Sequence, residues 1–269
     1  MSELLEERRG AVQWLTLNRP DARNALTEAL MDALVEQLQS SSADPAVRCV
    51  VLTGASPAFC GGADFKERGR RWVDPPPAST FGPQLDSLLS GLRKRTRSVE
   101  LLHLMPKPTI AMINGAAAGA GLALALACDF RIVADDAFVS TAYGDNALCG
   151  DFGISYFLTS LAGPAQARRL LMLRERLPAA QMSALGLATE VVARADLPGR
   201  TAALAERLAS GPTFAYAKMK ENLAFASAAS VSAVLDLEAL NTRLTGHSED
   251  AREGVAAMVD KRPPRFTGR

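Results

Sequence analysis

Histidine is almost absent from this chain: His103 and His247 are the only two in 269 residues. Their isolation excludes a histidine-based catalytic triad and leaves no cluster with the spacing of a metal site. Cysteine is nearly as sparse. The four thiols, Cys49, Cys60, Cys128 and Cys149, show no C-x-x-C spacing and predict reduced cysteines rather than a disulfide framework. No uncharged apolar run reaches membrane-spanning length. Glu3, Glu6 and Glu7 interrupt the N-terminus where a secretory leader would need a continuous apolar stretch. The final Thr267-Gly268-Arg269 is not a peroxisomal address, so the expected location is cytoplasmic. An excess of one charge is missing too. With a net charge of +1 and its basic residues scattered, the chain has no electrostatic footprint for nucleic acid.

What the chain does have is apolar mass. A hydrophobic fraction of 48% supports a sizeable core, which the length allows as one large domain or two small ones. Residues 12–17 alternate like a strand, and Thr27 can cap an amphipathic helix running to about Gln39. Residues 47–52, 109–113, 130–133 and 138–140 read as further strands. Residues 72–81, with Pro75-Pro76-Pro77, read as a surface loop. Residues 84–104 read as a long helix whose basic cluster, Arg93, Lys94, Arg95 and Arg97, is most simply a solvated face. From about Ser155 onward the chain is expected to be almost wholly helical, with starts near Pro164, Pro178, Pro212 and Ser230. Strands interleaved with helices, then a helical tail, predict an α/β core.

Two small-residue segments carry the strongest chemical signal. Ala58-Phe59-Cys60-Gly61-Gly62-Ala63-Asp64-Phe65 and Asn114-Gly115-Ala116-Ala117-Ala118-Gly119-Ala120-Gly121 each read as a tight turn feeding a helix. Such turns leave backbone N–H groups without a helical partner, where the local dipole favours negative charge. Two of them facing one pocket would cradle a developing oxyanion. Taken singly, Gly61-Gly62 is equally an ordinary loop, and the alanine-rich run from 116 to 127 is equally a buried helix. A dinucleotide site is excluded, because Gly115, Gly119 and Gly121 do not form G-x-G-x-x-G.

Other segments appear in a matching order. They are Asn18-Arg19-Pro20, Asn24-Ala25-Leu26, Pro106-Lys107-Pro108-Thr109-Ile110-Ala111, Cys128-Asp129-Phe130-Arg131-Ile132 and Ser248-Glu249-Asp250-Ala251-Arg252-Glu253-Gly254. With the two turns, they resemble the crotonase (enoyl-CoA hydratase/isomerase) superfamily along almost the whole chain. The resemblance implies an α/β fold: a crotonase-like spiral of ββα repeats over residues 1–200, holding an acyl-CoA site, and a helical C-terminal trimerisation region over 201–269. It implies a homotrimer or a hexamer built as a dimer of trimers. No metal and no cofactor are implied, apart from coenzyme A carried in as part of the acyl-CoA substrate. Neither nucleic acid nor a membrane is an expected partner.

The resemblance also implies roles. The N–H groups of Ala63 and Ala120 would stabilise an enolate formed from the acyl thioester. The family usually has glycine at the second position, and alanine there changes shape more than charge. Asp64 is expected to hold its loop. Arg23, Ala25, Gly61, Phe65 and Lys66, with Ala63 and Asp64, would lie along the coenzyme A side, and Lys220 near its nucleotide. Solvated surface groups are the alternative for Arg23, Lys66 and Lys220.

The acid–base positions depart from the family pattern. Where family hydratases carry two glutamates, this chain carries Ala123 and Tyr143. Alanine cannot transfer a proton, and a phenol with a pKa near ~10 is a poor base at neutral pH. Asp151 falls where isomerase-type members have an acid, and Asp145 is the fallback if the register differs. A helix cap is the alternative role for Asp151. Double-bond isomerisation is therefore favoured over hydration. The competing readings are a silent acyl-CoA-binding or assembly subunit, and a thioester hydrolase or dehalogenase using Asp151 as nucleophile. His103 reads as a helix-face residue and Cys149 as a small buried thiol.

Overall fold

The computed structural model describes residues 2–66 and 81–269, and for residues 81–84 the backbone alone. The proline-rich segment expected as a loop therefore lies outside the described residues, except Phe81.

A six-stranded sheet organises the core. Strand β1 (Leu4–Arg9) pairs antiparallel with β2 (Val12–Leu17). Next to β2 lie β3 (Cys49–Gly54) and β4 (Thr109–Ile113), both parallel to it. A second, three-stranded sheet joins β5 (Ala117–Ala118), β7 (Phe138–Ser140) and β8 (Leu177–Pro178). The large sheet is completed by β6 (Phe130–Ala134) and β9 (Glu190–Val192) in the order β1-β2-β3-β4-β6-β9. Every residue of β3 is buried, as expected for a parallel strand covered on both faces. Leu17 lies opposite Gly54, and Thr53 opposite Met112, so the loops after β2, β3 and β4 leave the same edge of the sheet. The carboxyl ends of parallel strands are where open α/β sheets place ligands.

Helix α1 (Glu28–Ala43) starts as predicted, with Leu30 N–H donating to Thr27 Oγ1 at 3.0 Å. It runs past Gln39 because Lys107 Nζ donates to the carbonyl of Ser41 at 2.6 Å and to that of Asp44, satisfying acceptors at the helix end. Helix α2 (Phe81–Leu104) packs along α1. Of its basic cluster, Arg93, Lys94 and Arg97 are exposed, as a solvated face requires, and Arg95 is half-buried. Lys94 reaches Asp32 at 2.9 Å, Arg95 reaches Glu28 at 2.9 Å, and Arg93 and Arg97 both pair with Glu100. Helix α3 (Ala120–Ala127) is buried at every position.

The C-terminal half departs from the expectation in one respect: β8 and β9 interrupt the helices, the latter extending the main sheet. Helix α4 (Ile154–Leu173) breaks at Gly163 (φ 80°, ψ 162°), beside the predicted start at Pro164. Pro178 precedes α5 (Ala179–Ala184). Helix α6 (Leu197–Ala209) buries Leu197, Thr201, Ala205 and Leu208 and packs against the sheet. Beyond it lie α7 (Thr213–Ala226), α8 (Val231–Gly246) and α9 (Glu249–Val259), the last two capped by Ser230 and Ser248. Arg48 fastens the tail to the core, donating to the Phe266 carbonyl at 3.0 Å and to Thr213 Oγ1 at 2.9 Å. No helix among the described residues is long and apolar enough to cross a membrane.

Candidate active site

The two small-residue turns are bonded to each other. Cys60 N–H donates to the Ala116 carbonyl at 3.1 Å, and Ala118 N–H returns the bond to Cys60 at 2.9 Å. Small residues permit that approach. A Cβ on Gly121 would sit 2.5 Å from the Cys60 carbonyl, and one on Gly62 (φ 90°) 2.9 Å from that of Ala118. Either contact would force the two turns apart.

The pairing leaves specific donors over. Leu26 N–H donates to Gly62 O at 2.8 Å, and Asp64 N–H donates to Leu26 O at 3.2 Å. Ala63 lies between these bonds, and Ala120 is the first residue of α3. Among the described residues, neither the Ala63 nor the Ala120 N–H donates to a backbone carbonyl. Arg19, Ala22, Ala25, Ala63, Asp64, Phe65 and Lys66 share an open cleft of about 720 Å³. Gly61 N–H donates to the Arg23 carbonyl at 2.8 Å, which places Arg23 on this same turn.

Two residues that build this arrangement were not singled out from the sequence. Asn24, fully buried, donates through Nδ2 to the carbonyls of Ala55 at 2.7 Å and Ala58 at 2.8 Å. Arg19 donates to Asp64 Oδ2 at 2.8 Å and to the Ala25 carbonyl at 2.6 Å. Their signal lay in the Asn-Arg-Pro and Asn-Ala-Leu motifs, which mark a turn but not its partners. Asp64 also accepts from Lys66 N–H at 2.9 Å, a loop-holding arrangement.

The acid side is built by residues 141–153. Tyr143, 7% exposed, donates to Asp151 Oδ1 at 2.8 Å. Burial, then the Asp151 carboxylate, push the phenol's pKa well above the ordinary tyrosine range, and Cys60 lies near enough to act in the same direction. Gly119 N–H donates to the Ser140 carbonyl at 3.1 Å, joining this segment to the second turn. Asp151 does not cap α4 with its side chain: the cap residue is Gly153, which has no side-chain cap bond. Ala123 is fully buried in α3.

Other candidates fall elsewhere. Asp145 is exposed and lies 3.3 Å from Arg174. Lys220 does not reach the cleft: its Nζ donates to Asp129 Oδ2 at 2.7 Å and to the Lys107 carbonyl at 3.0 Å. Cys149 is exposed rather than buried, because it stands on the outward turn between Tyr143 and Asp151. His103 packs edge-on against Tyr156 and Phe157. Among the described residues no group of His, Cys, Asp and Glu side chains could hold a metal ion.

The sequence pattern of the enoyl-CoA hydratase/isomerase family matches residues 7–269. The chain belongs to the enoyl-CoA hydratase/isomerase family. It is 37% identical to a 1,2-epoxyphenylacetyl-CoA isomerase of Escherichia coli K12 over 100% of both chains. It is 32% identical to a 2,3-dehydroadipyl-CoA hydratase of the same organism, again over 100% of each. The crystal structure of an enoyl-CoA hydratase from Polaromonas sp. JS666 superposes with a TM-score of 0.88 at 31% identity, covering 98% of this chain and 99% of the other. The fold is therefore the crotonase α/β fold with a helical C-terminal region, and the two bonded turns belong to an enzyme family that includes both isomerases and hydratases.

Proposed function

We propose that the protein shifts the double bond of an enoyl-CoA thioester, with Asp151 carrying the proton and the N–H groups of Ala63 and Ala120 holding the thioester oxygen. The observation that supports this reading is the Tyr143–Asp151 bond, which fixes one carboxylate while Ala123 offers no second proton-transfer group. Asp151 removes a proton from C2 of a 3-enoyl thioester. The electron pair moves onto the thioester oxygen, giving a dienolate, and the same proton returns at C4 to leave the conjugated 2-enoyl product. Each oxyanion donor contributes roughly 3 to 4 kcal/mol to lowering the barrier. Coenzyme A enters only as part of the substrate, with its pantetheine end at the Ala25–Phe65 side of the cleft. The 37% identical relative is named a 1,2-epoxyphenylacetyl-CoA isomerase, which acts on an epoxide of an acyl-CoA thioester rather than on an enoyl double bond.

The test is turnover of a 3-enoyl-CoA and, separately, a 2-enoyl-CoA by the parent and by Asp151→Asn, followed by the absorbance of the conjugated thioester. Rising absorbance with the 3-enoyl substrate, lost in the variant, is expected. Falling absorbance with the 2-enoyl substrate alone would make the protein a hydratase. Binding without turnover of either would make it a silent acyl-CoA binder.

Assembly belongs to the same proposal. Leu223, Val231, Leu235 and Leu240 on α7 and α8 are more than half exposed, and Val231 reaches 77%. Large apolar side chains exposed to this degree suit a protein interface, and a second copy of the chain is the proposed occupant, in a trimer or a dimer of trimers. Light scattering on the eluted protein reads the mass directly.

A further inference from the structure

We propose that Tyr143 is a positioning residue for Asp151: by donating to Oδ1 it holds the carboxylate in one orientation and reserves Oδ2 for the substrate proton. This rests on the isomerase reading above, in which Asp151 removes a proton and returns it to a different carbon. The same oxygen lobe must then face C2 and C4 in turn, and a carboxylate free to rotate about its Cβ–Cγ bond would lose that geometry between the two transfers.

Three observations carry the proposal. The bond is short and direct, 2.8 Å from the Tyr143 hydroxyl to Oδ1. Among the described residues, Oδ2 accepts no hydrogen bond and Asp151 has no ion pair, so the two oxygens are not equivalent. Both partners are also fixed by the backbone. The Tyr143 carbonyl accepts from Asn146 and Leu148 N–H, each at 3.0 Å, closing the turn on one side. On the other, Phe152 follows Asp151 with φ 52°, between Gly150 at 105° and Gly153 at 73°. A buried aromatic residue in the left-handed region costs on the order of 1 kcal/mol, and such conformations persist where the surroundings dictate a side chain's aim. Here the chain reverses around Asp151 and turns it back onto Tyr143.

The hydroxyl is suited to a lasting donor role. Its burial and its negative partner keep the phenol protonated, so Tyr143 donates whether Asp151 is ionised or carries the substrate proton on Oδ2. In the protonated acid, Oδ1 is the carbonyl oxygen and still accepts. The bond therefore survives the whole cycle, and no proton passes through Tyr143.

The experiment compares Tyr143→Phe with Asp151→Asn on a 3-enoyl-CoA deuterated at C2, reading kcat, KM and the fraction of label recovered at C4. Tyr143→Phe is expected to bind substrate with the parent's KM while kcat falls by about ten- to a hundredfold, and label transfer falls with it. Parent-like kcat and label transfer in Tyr143→Phe, with Asp151→Asn inactive, would overturn the positioning role and leave the isomerase reading standing. Full turnover in Asp151→Asn would instead overturn the reading beneath it. If the phenylalanine variant does not fold, 3-fluorotyrosine at position 143 keeps the shape and alters donor strength. A changed kcat at constant KM then supports the proposal, and no change in either overturns it.

Discussion

Asn24 Nδ2 donates to the Ala58 carbonyl at 2.8 Å, bonding the turn after β2 to the segment that leads into Ala63. Its own Oδ1 accepts from Arg19 N–H at 2.9 Å, and its carbonyl accepts from the Cys60 thiol. One buried amide thus sets the spacing of two loops that leave adjacent strands.

Asn24→Ala is expected to strip the carbonyls of Ala55 and Ala58 of their side-chain donor. Leaving buried acceptors unpaired costs about 1 to 3 kcal/mol. Urea unfolding reads the stability, and kcat is expected to drop along with it because the Ala63 N–H is displaced.

Asp64 separates a scaffolding role from a chemical one. It is buried and accepts from Arg19 and from the Lys66 N–H. Asp64→Asn retains acceptor capacity and is expected to keep most of the parent's kcat, whereas Asp64→Ala is expected to lose about tenfold or more through misplacement of the adjoining donor. Equal loss in both variants would make Asp64 a proton carrier.

Lys220 and Asp129 form an ion pair with side chains 11% and 21% exposed. Asp129 also accepts from the backbone N–H and the hydroxyl of Thr109, so the pair fastens α7 to the start of β4. Lys220→Met is expected to lower stability by on the order of 3 kcal/mol, since it strands a carboxylate in a partly buried site. The KM for acyl-CoA is expected to remain at the parent's value. A raised KM with unchanged stability would return Lys220 to the coenzyme A site.

His103 makes stability depend on pH. Burial lowers its pKa below the ordinary 6.5, the nearby Lys220 charge acts the same way, and Asp129 opposes them. The unfolded chain therefore takes up this proton first as pH falls. Its contribution is fully present above pH 6.5 and is lost as the pH drops below that toward the lowered folded-state value. Chemical denaturation above and below pH 6.5 should show the parent losing more stability on acidification than His103→Phe.

Local signals were legible where a residue acts on its own neighbours. Thr27 and Ser230 cap the helices they precede because each cap bond spans only three residues. The β3 and β4 segments were recognisable because buried parallel strands are apolar throughout. Strand β1 was not, since only Leu4 among its six residues is buried, while Leu5 and the four charged residues after it are exposed. Strands β8 and β9, two and three residues long, are too short to show a period.

The sequence by itself determined the order of the two small-residue turns, the absence of a glutamate at position 123 and the presence of acids at 145 and 151. Those are properties of residue type and position. The tertiary structure decided what the acids can do. Asp145 faces solvent beside Arg174, while Asp151 is turned inward onto Tyr143 by three left-handed residues. It also drew Lys220 to Asp129, 91 residues away in the chain. Spacing along a sequence carries no information about such contacts, because they arise only when the sheet brings separate loops to one edge and burial makes an unpaired charge costly.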